Sequence, residues 1–513
     1  MTLIKKTQKK SNVYNVYTKN YTKRKVNRSI RSNRSIRLNN MKLYKNRLGT
    51  KVLIMPNRKD TETASLYFYF KVGSKNETPD IYGISHFIEH MLFKGSPKFP
   101  NYLDISKTFD SNGISFNAYT SKDITAYHYK FLSTKENVEL ICNITSDMLY
   151  NSFMRQKDIT PERNVIIQEY NDGLDDIDNV VNDTVEEYIF KGHPLAHTII
   201  GSLDTLHKIN KTEIVDYYKK HYIPSNLLIS FSGKYEDKYI SIINKYFKSM
   251  KSMSSMKSMK SPCNVNTILN NNLTYDSHTH KTSTSKKITH NNFIPIPMNL
   301  TKPNLSHIIP FVDNNPYYSI NCISKQLTQD YVNILFKTRG FFDPNRYYYK
   351  LLYTMLGGNM SSRLFVEIRE KLGLAYTISC DITNYEEVGY FNIYTQNEPA
   401  DTLKCLEHIF KELLKFKNYG TTKTELENNK KNYCDIYKTS FDDIEDENEF
   451  YSNQILFNKP FETIDMRIKA IQSITEEQIK LSANDLFDFT KVHIITFGKI
   501  KKDKIEKVLK KFI

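Results

Sequence analysis

Two histidines and a glutamate, His86, Glu89 and His90, stand within five residues in Ile84-Ser-His-Phe-Ile-Glu-His-Met-Leu-Phe-Lys-Gly95. On a helix, residues i and i+4 leave the same face one turn apart, so both imidazoles would address one point. That is the bite of a tetrahedral zinc ion, which takes imidazole nitrogen at about 2.0–2.1 Å. Glu89 can face the same space without ligating, where a carboxylate can take a proton from water. The pattern is H-x-x-E-H, the inverse of H-E-x-x-H. The competing reading is three polar residues on an ordinary solvated helix face.

Such a site needs a third protein ligand, usually a carboxylate, on another helix that can stand beside the first. Pro161-Glu162-Arg-Asn-Val-Ile-Ile-Gln-Glu169 offers two candidates. Glu162 and Glu169 are two helical turns apart and share a face, while Val165 and Ile166 are expected to turn toward the core. Thr160-Pro161 reads as the start of that helix, with Thr as cap and Pro in the first turn.

The elements around these residues alternate between strand and helix. Lys51–Met55 and Ala64–Val72 read as strands, Gly83–Phe93 and Leu103–Ser111 as helices, Ile114–Tyr119 and Thr125–Phe131 as strands. A helix at Asn137–Phe153, a strand at Leu227–Gly233 and a helix at Tyr235–Met250 complete a first domain, 41–246. A second domain, 316–513, has strands at Asp330–Lys337, Phe391–Thr395 and Val492–Phe497, with helices at Tyr347–Leu356, Leu403–Phe416 and Thr424–Tyr437. The fold class is α+β: two α/β sandwich domains, each an antiparallel-rich sheet with helices packed on it. Between them, 247–315 is a low-complexity linker or insertion of Lys-Ser-Met repeats and then Asn, Thr, Ser and His. Its His278, His280 and His290 lack regular spacing and acidic or Cys partners, which argues against a metal tract.

The chain has 513 residues, 39% hydrophobic, with a formal net charge of +17 from 73 Lys+Arg against 56 Asp+Glu. Met1–Lys59 holds 18 of the basic residues and no acid, leaving 55 basic against 56 acidic residues in the remainder. The body is therefore neutral, which argues against a nucleic-acid binder for the folded part. The head, 1–40, cannot bury a core and reads as a basic disordered tail or a transit segment. The compartment stays open between mitochondrial matrix and cytoplasm. No run near eighteen apolar residues occurs, so no spanning helix is expected. Six scattered cysteines without a C-x-x-C pair make no disulfide framework.

Taken in order along the chain, several motifs carry a resemblance. His86–His90 is followed 79 residues later by Glu169, within Glu-Arg-x-Val-Ile-x-x-Glu. Gly113-Ile-Ser-Phe-Asn-Ala-Tyr-Thr-Ser121, Gly192-His-Pro-Leu…Ile-Gly201 and Leu356-Gly-Gly-Asn-Met-Ser-Ser-Arg-Leu-Phe…Ile-Arg369-Glu-Lys-Leu-Gly-Leu-Ala-Tyr376 follow. Together they resemble the pitrilysin/insulinase family of zinc peptidases, closest to its processing-peptidase branch.

The resemblance implies one Zn2+ per chain held by His86, His90 and Glu169, with Glu89 as general base. It implies Glu162 as the carboxylate that supports the ligands, and Arg369 with Tyr376 as the pair that steadies the substrate carbonyl. Asn117, Ala118 and Tyr119 would bind an extended peptide or presequence as an added strand. The chain would form half of a clamshell, closed as a homodimer or as a heterodimer with a related chain. Zinc motif and Arg369/Tyr376 stand together without a Gly-rich loop, which looks more like the single-type chains of bacterial relatives. The alternative function is a non-catalytic scaffolding member of the same fold, like the core subunits of a respiratory complex.

Overall fold

The computed structural model describes residues 41–56, 61–248, 292–298, 311–314 and 316–513. The basic head, most of the 247–315 insertion and the histidines 278, 280 and 290 lie outside the described residues. Strands β1 (Lys42–Lys45), β2 (Lys51–Pro56), β3 (Thr63–Phe70), β4 (Ser115–Thr120), β5 (Thr125–Leu132), β6 (Leu227–Gly233) and β7 (Ile294–Ile296) form one sheet in the order β4-β5-β3-β6-β2-β1-β7. Strands β8 (Ser319–Ser324), β9 (Asp330–Thr338), β10 (Thr377–Asn384), β11 (Gly389–Asn397) and β12 (His493–Gly498) form a second, in the order β10-β11-β9-β12-β8.

Five strands of the first sheet recur as the second. β2 to β6 and β8 to β12 share chain order and spatial order, and in each the first and last strands are the parallel pair. The helices recur with them. Ile84–Leu92 lies between β3 and β4 as Arg346–Leu356 lies between β9 and β10. Helices at Lys135–Asn151, Gln156–Asp175, Ile177–Ile189, Leu203–Lys208 and Lys211–His221 precede β6, and five at Thr402–Tyr419, Lys423–Ser440, Ile444–Leu456, Ile464–Gln472 and Glu476–Leu486 precede β12. The molecule is a mixed α/β fold of two like halves.

Central strands are apolar on both faces because each face meets a helix layer. On β3, Ala64, Leu66, Phe68 and Phe70 turn to the first half's own helices, while Tyr67 and Tyr69 turn the other way. The second set meets Tyr451, Ile455, Leu456 and Phe457, from the second half. Reciprocally, Val181, Val185 and Ile189 of helix Ile177–Ile189 cover Leu335, Ile495 and Phe497 of the second sheet. Each half thus lends the other one helix, and it is the third of the five in both. Polar groups fix the seating: Ser452 donates to Ser230 at 2.7 Å and Asn448 to the Ser230 carbonyl at 3.1 Å.

Several local expectations need correction. Thr160-Pro161 does not open its helix, which begins at Gln156 with Pro161 inside it. Pro161 is the sixth residue of the helix, so it removes the amide that would otherwise bond the Lys157 carbonyl. Val165 is exposed and only Ile166 is buried. Ile294–Ile296, in the region read as linker, pairs antiparallel with β1 at the edge of the first sheet.

Candidate metal centre

The helix Ile84–Leu92 carries two stripes. Ile84, Phe87, Ile88, Met91 and Leu92 are fully buried in the first-half core. His86, Glu89 and His90 share the spacing i, i+3, i+4 and form the second stripe. The helix start is held from three sides. Gly83 sits at φ 97°, and a Cβ there would collide with the Ile200 carbonyl. Glu77, wholly buried, accepts the Gly83 amide at 2.7 Å and the Ser85 amide at 2.8 Å. His197 stacks on Tyr82 with ring centroids 3.7 Å apart and approaches Glu77 to 3.6 Å. The Gly192–Gly201 segment therefore serves as a clamp on this helix.

Glu162 and Glu169 come to the histidines from helix Gln156–Asp175. Glu162, buried, bonds His90 Nδ1 at 2.8 Å and pairs with Lys94. With Nδ1 bonded to a carboxylate, His90 presents Nε2 as a lone-pair donor. That nitrogen lies 3.2 Å from Nε2 of His86, and Glu169 Oε2 lies 3.7 and 3.8 Å from the two. All three donor atoms fall within 4.8 Å of one another. Two imidazole nitrogens on one tetrahedral zinc would stand roughly 3.3 Å apart. Two neutral imidazole nitrogens whose lone pairs converge this closely are satisfied by a shared cation, so the donor set fits zinc.

Electrostatics divide the roles. Burial, and then the neighbouring His90, pushes His86 down to about 3, so it is neutral and free to ligate. Burial would lower His90 too, but its bond to Glu162 and the surrounding carboxylates outweigh burial and raise it. Burial raises Glu162, yet His90 and Lys94 outweigh it and keep the carboxyl below its ordinary value. Burial pushes Glu89 up, against the opposing pull of a Thr120 hydrogen bond. A carboxylate raised toward the working pH is a better general base. Nδ1 of His86 is buried without a partner among the described residues, so the ring's polar contacts are those of Nε2.

Strand β4 lies beside this site as the end strand of its sheet. The Ser121 amide donates to the Ile124 carbonyl at 2.8 Å and closes the β4–β5 turn. Alternation from that bonded pair makes Tyr119–Ala126 and Asn117–His128 the next bonded pairs, so the backbone of Phe116, Ala118 and Thr120 faces an edge that no other strand among the described residues pairs with. The Ala118 amide is taken by Asn117 Oδ1 at 2.9 Å, with Asn117 exposed. The Tyr119 ring turns to the face shared with the second half, away from the histidines.

Arg369 and Tyr376 come together with each other and not with this cluster. The Arg369 guanidinium lies 4.5 Å from the Tyr376 ring centroid, and Tyr376 is 74% exposed. Arg369 stands in a π-helical turn, Phe365–Lys371. Among the described residues, no hydrogen bond or ion pair joins either to His86, His90, Glu162 or Glu169. Sequence reasoning missed Glu77 and Thr120. Thr120 stood in a quoted motif, but nothing in the spacing ties it to Glu89.

The chain matches the profile described as Insulinase (Peptidase family M16) over residues 52–203, and that of the Peptidase M16 inactive domain over 208–433. The chain belongs to the M16 peptidase family. His86, Glu89, His90, Glu162 and Glu169 all fall in the first match, and none in the region described as inactive. An "uncharacterized zinc protease" of Rickettsia felis is 30% identical over 376 residues, 73% of this chain and 76% of its own. The mitochondrial-processing peptidase subunit beta of Caenorhabditis elegans is 33% identical over 186 residues, 36% of this chain and 40% of its own. A protease from Helicobacter pylori has the same fold, with TM-score 0.72 at 18% identity over 90% of this chain and 99% of that one. Membership of the M16 family, with relatives named zinc proteases, supports a peptidase at family level. No described helix is long and apolar enough to cross a membrane.

Proposed function

We propose that this M16 chain is a zinc endopeptidase that hydrolyses extended peptides or presequences in a chamber closed with an identical or related chain. The supporting observation is the convergence of His86, His90 and Glu169 beside a base, Glu89, and an open strand edge, β4. Zinc held by the three residues would supply a Lewis acid that polarises the scissile carbonyl and acidifies water.

The chain's own residues do the rest. A peptide lying along β4 would pair with the outward backbone of Ala118, displacing Asn117 Oδ1 from its amide. Glu89 takes the proton of the attacking water and returns it to the leaving amine. Glu162 keeps His90 in one tautomer and orientation. Arg369, half-buried with its guanidinium over the exposed Tyr376 ring, would meet the developing oxyanion with it from a second chain.

The deciding experiment measures zinc per chain and cleavage of a quenched peptide with and without chelator. Chelator-sensitive cleavage supports the reading. A metal-free, inactive protein overturns it and leaves the scaffolding role.

A further inference from the structure

Glu89 has one hydrogen-bond donor among the described side chains. Thr120 Oγ1 donates to Glu89 Oε2 at 2.6 Å. Thr120 is the last residue of β4, and by period two its side chain shares the helix-facing side with Phe116 and Ala118, which pack on the first-half core. Its backbone amide and carbonyl face the open edge. One residue therefore touches the base with its side chain and offers its main chain to whatever pairs with the strand.

Threonine is stiff at χ1, so the direction of Oγ1 follows the backbone of β4 closely. The bond occupies Oε2 and leaves Oε1 of Glu89 free to receive a proton. We infer that Thr120 is a positioning residue that orients Glu89 and makes that orientation depend on the strand that receives the substrate. The inference rests on the peptidase reading. A peptide paired along β4 holds the Thr120 backbone, and the hydroxyl then holds the carboxylate in the attitude needed for proton transfer.

The test compares Thr120→Val, which keeps shape and β-branching, with Thr120→Ser, which keeps the hydroxyl. Steady-state kinetics on a quenched extended peptide should show kcat reduced about 10–100-fold in Thr120→Val, the weight of one hydrogen bond to a charged group. KM and zinc content should stay at their wild-type values, and Thr120→Ser should recover most of kcat. Crystal structures of wild type and Thr120→Val give a second readout independent of turnover, with the Glu89 carboxylate rotated away from its wild-type place in the variant. A wild type that cleaves alongside an equally fast Thr120→Val overturns the inference and leaves the peptidase reading intact. A wild type that does not cleave defeats the peptidase reading. An unmoved Glu89 in the Thr120→Val crystal then defeats the positioning role separately.

Discussion

His86 and Lys350 hold the same place in the two halves. Each stands six residues before the last residue of its helix, Leu92 and Leu356, between equivalent strands. Counted the same way, Thr354 takes the place of His90 and Tyr353 that of Glu89. Lysine is no usual zinc ligand, and Thr354 and Tyr353 complete no imidazole pair. The second half repeats the scaffold without the donors. Metal analysis should therefore find one zinc per chain, falling to none in His86→Ala. Two per chain would point to another site.

Glu89→Gln should keep zinc and fold while losing turnover. The amide preserves shape and can still accept from Thr120, but it cannot take a proton. Loss of a general base typically lowers kcat about 10²–10⁴-fold. Full activity in a quenched-peptide assay would remove Glu89 from the mechanism.

The two glutamates of helix Gln156–Asp175 should separate by experiment. Glu169→Gln replaces the proposed third ligand and should weaken zinc binding directly. Glu162→Gln leaves the ligand set whole but loosens His90, and loss of such a support costs about 10–100-fold in affinity or activity. Competition against a chromogenic chelator measures both, and unchanged affinity in Glu169→Gln would reassign the third ligand.

The proposed sharing of the site between two chains makes a complementation test possible. Glu89→Gln and Arg369→Ala chains, each inactive alone, should regain activity when mixed, because one site of the mixed dimer has both intact parts. Mixed dimers that form and stay inactive would confine the site to one chain.

Acid should loosen the contact between the halves. Glu445, at the start of helix Ile444–Leu456, faces His128 at 3.5 Å and Lys130 at 3.0 Å on the first sheet. The His128 contact, reinforced by Lys130, holds its carboxyl down at about 2. A depressed carboxyl stabilises the folded state fully above its unfolded value of about 4.3, and that stabilisation is lost as pH falls toward the folded value. Urea midpoints should thus drop between about pH 4.5 and 2, with a flatter slope in Glu445→Gln. Equal slopes would exclude Glu445 as the cause.

Much of the site was legible because it is local. The apolar spacing of Ile84, Phe87, Ile88 and Met91 marks a helix, and the His86–His90 interval follows from its pitch. Glu77 was not legible: its bonds to Gly83 and Ser85 come from a chain reversal that no periodicity encodes. Nor was the lending of helices between halves, since Ser230 and Ser452 meet across 222 residues. The helix start at Gln156 was missed because Pro161 outweighed weaker signals before it.

That mutual lending limits how far the two halves can be separated. A lone half would leave Tyr67 and Tyr69, or Leu335 and Ile495, bare on one side of its sheet. The unit that folds is therefore the pair of halves together, and neither half alone has a covered sheet.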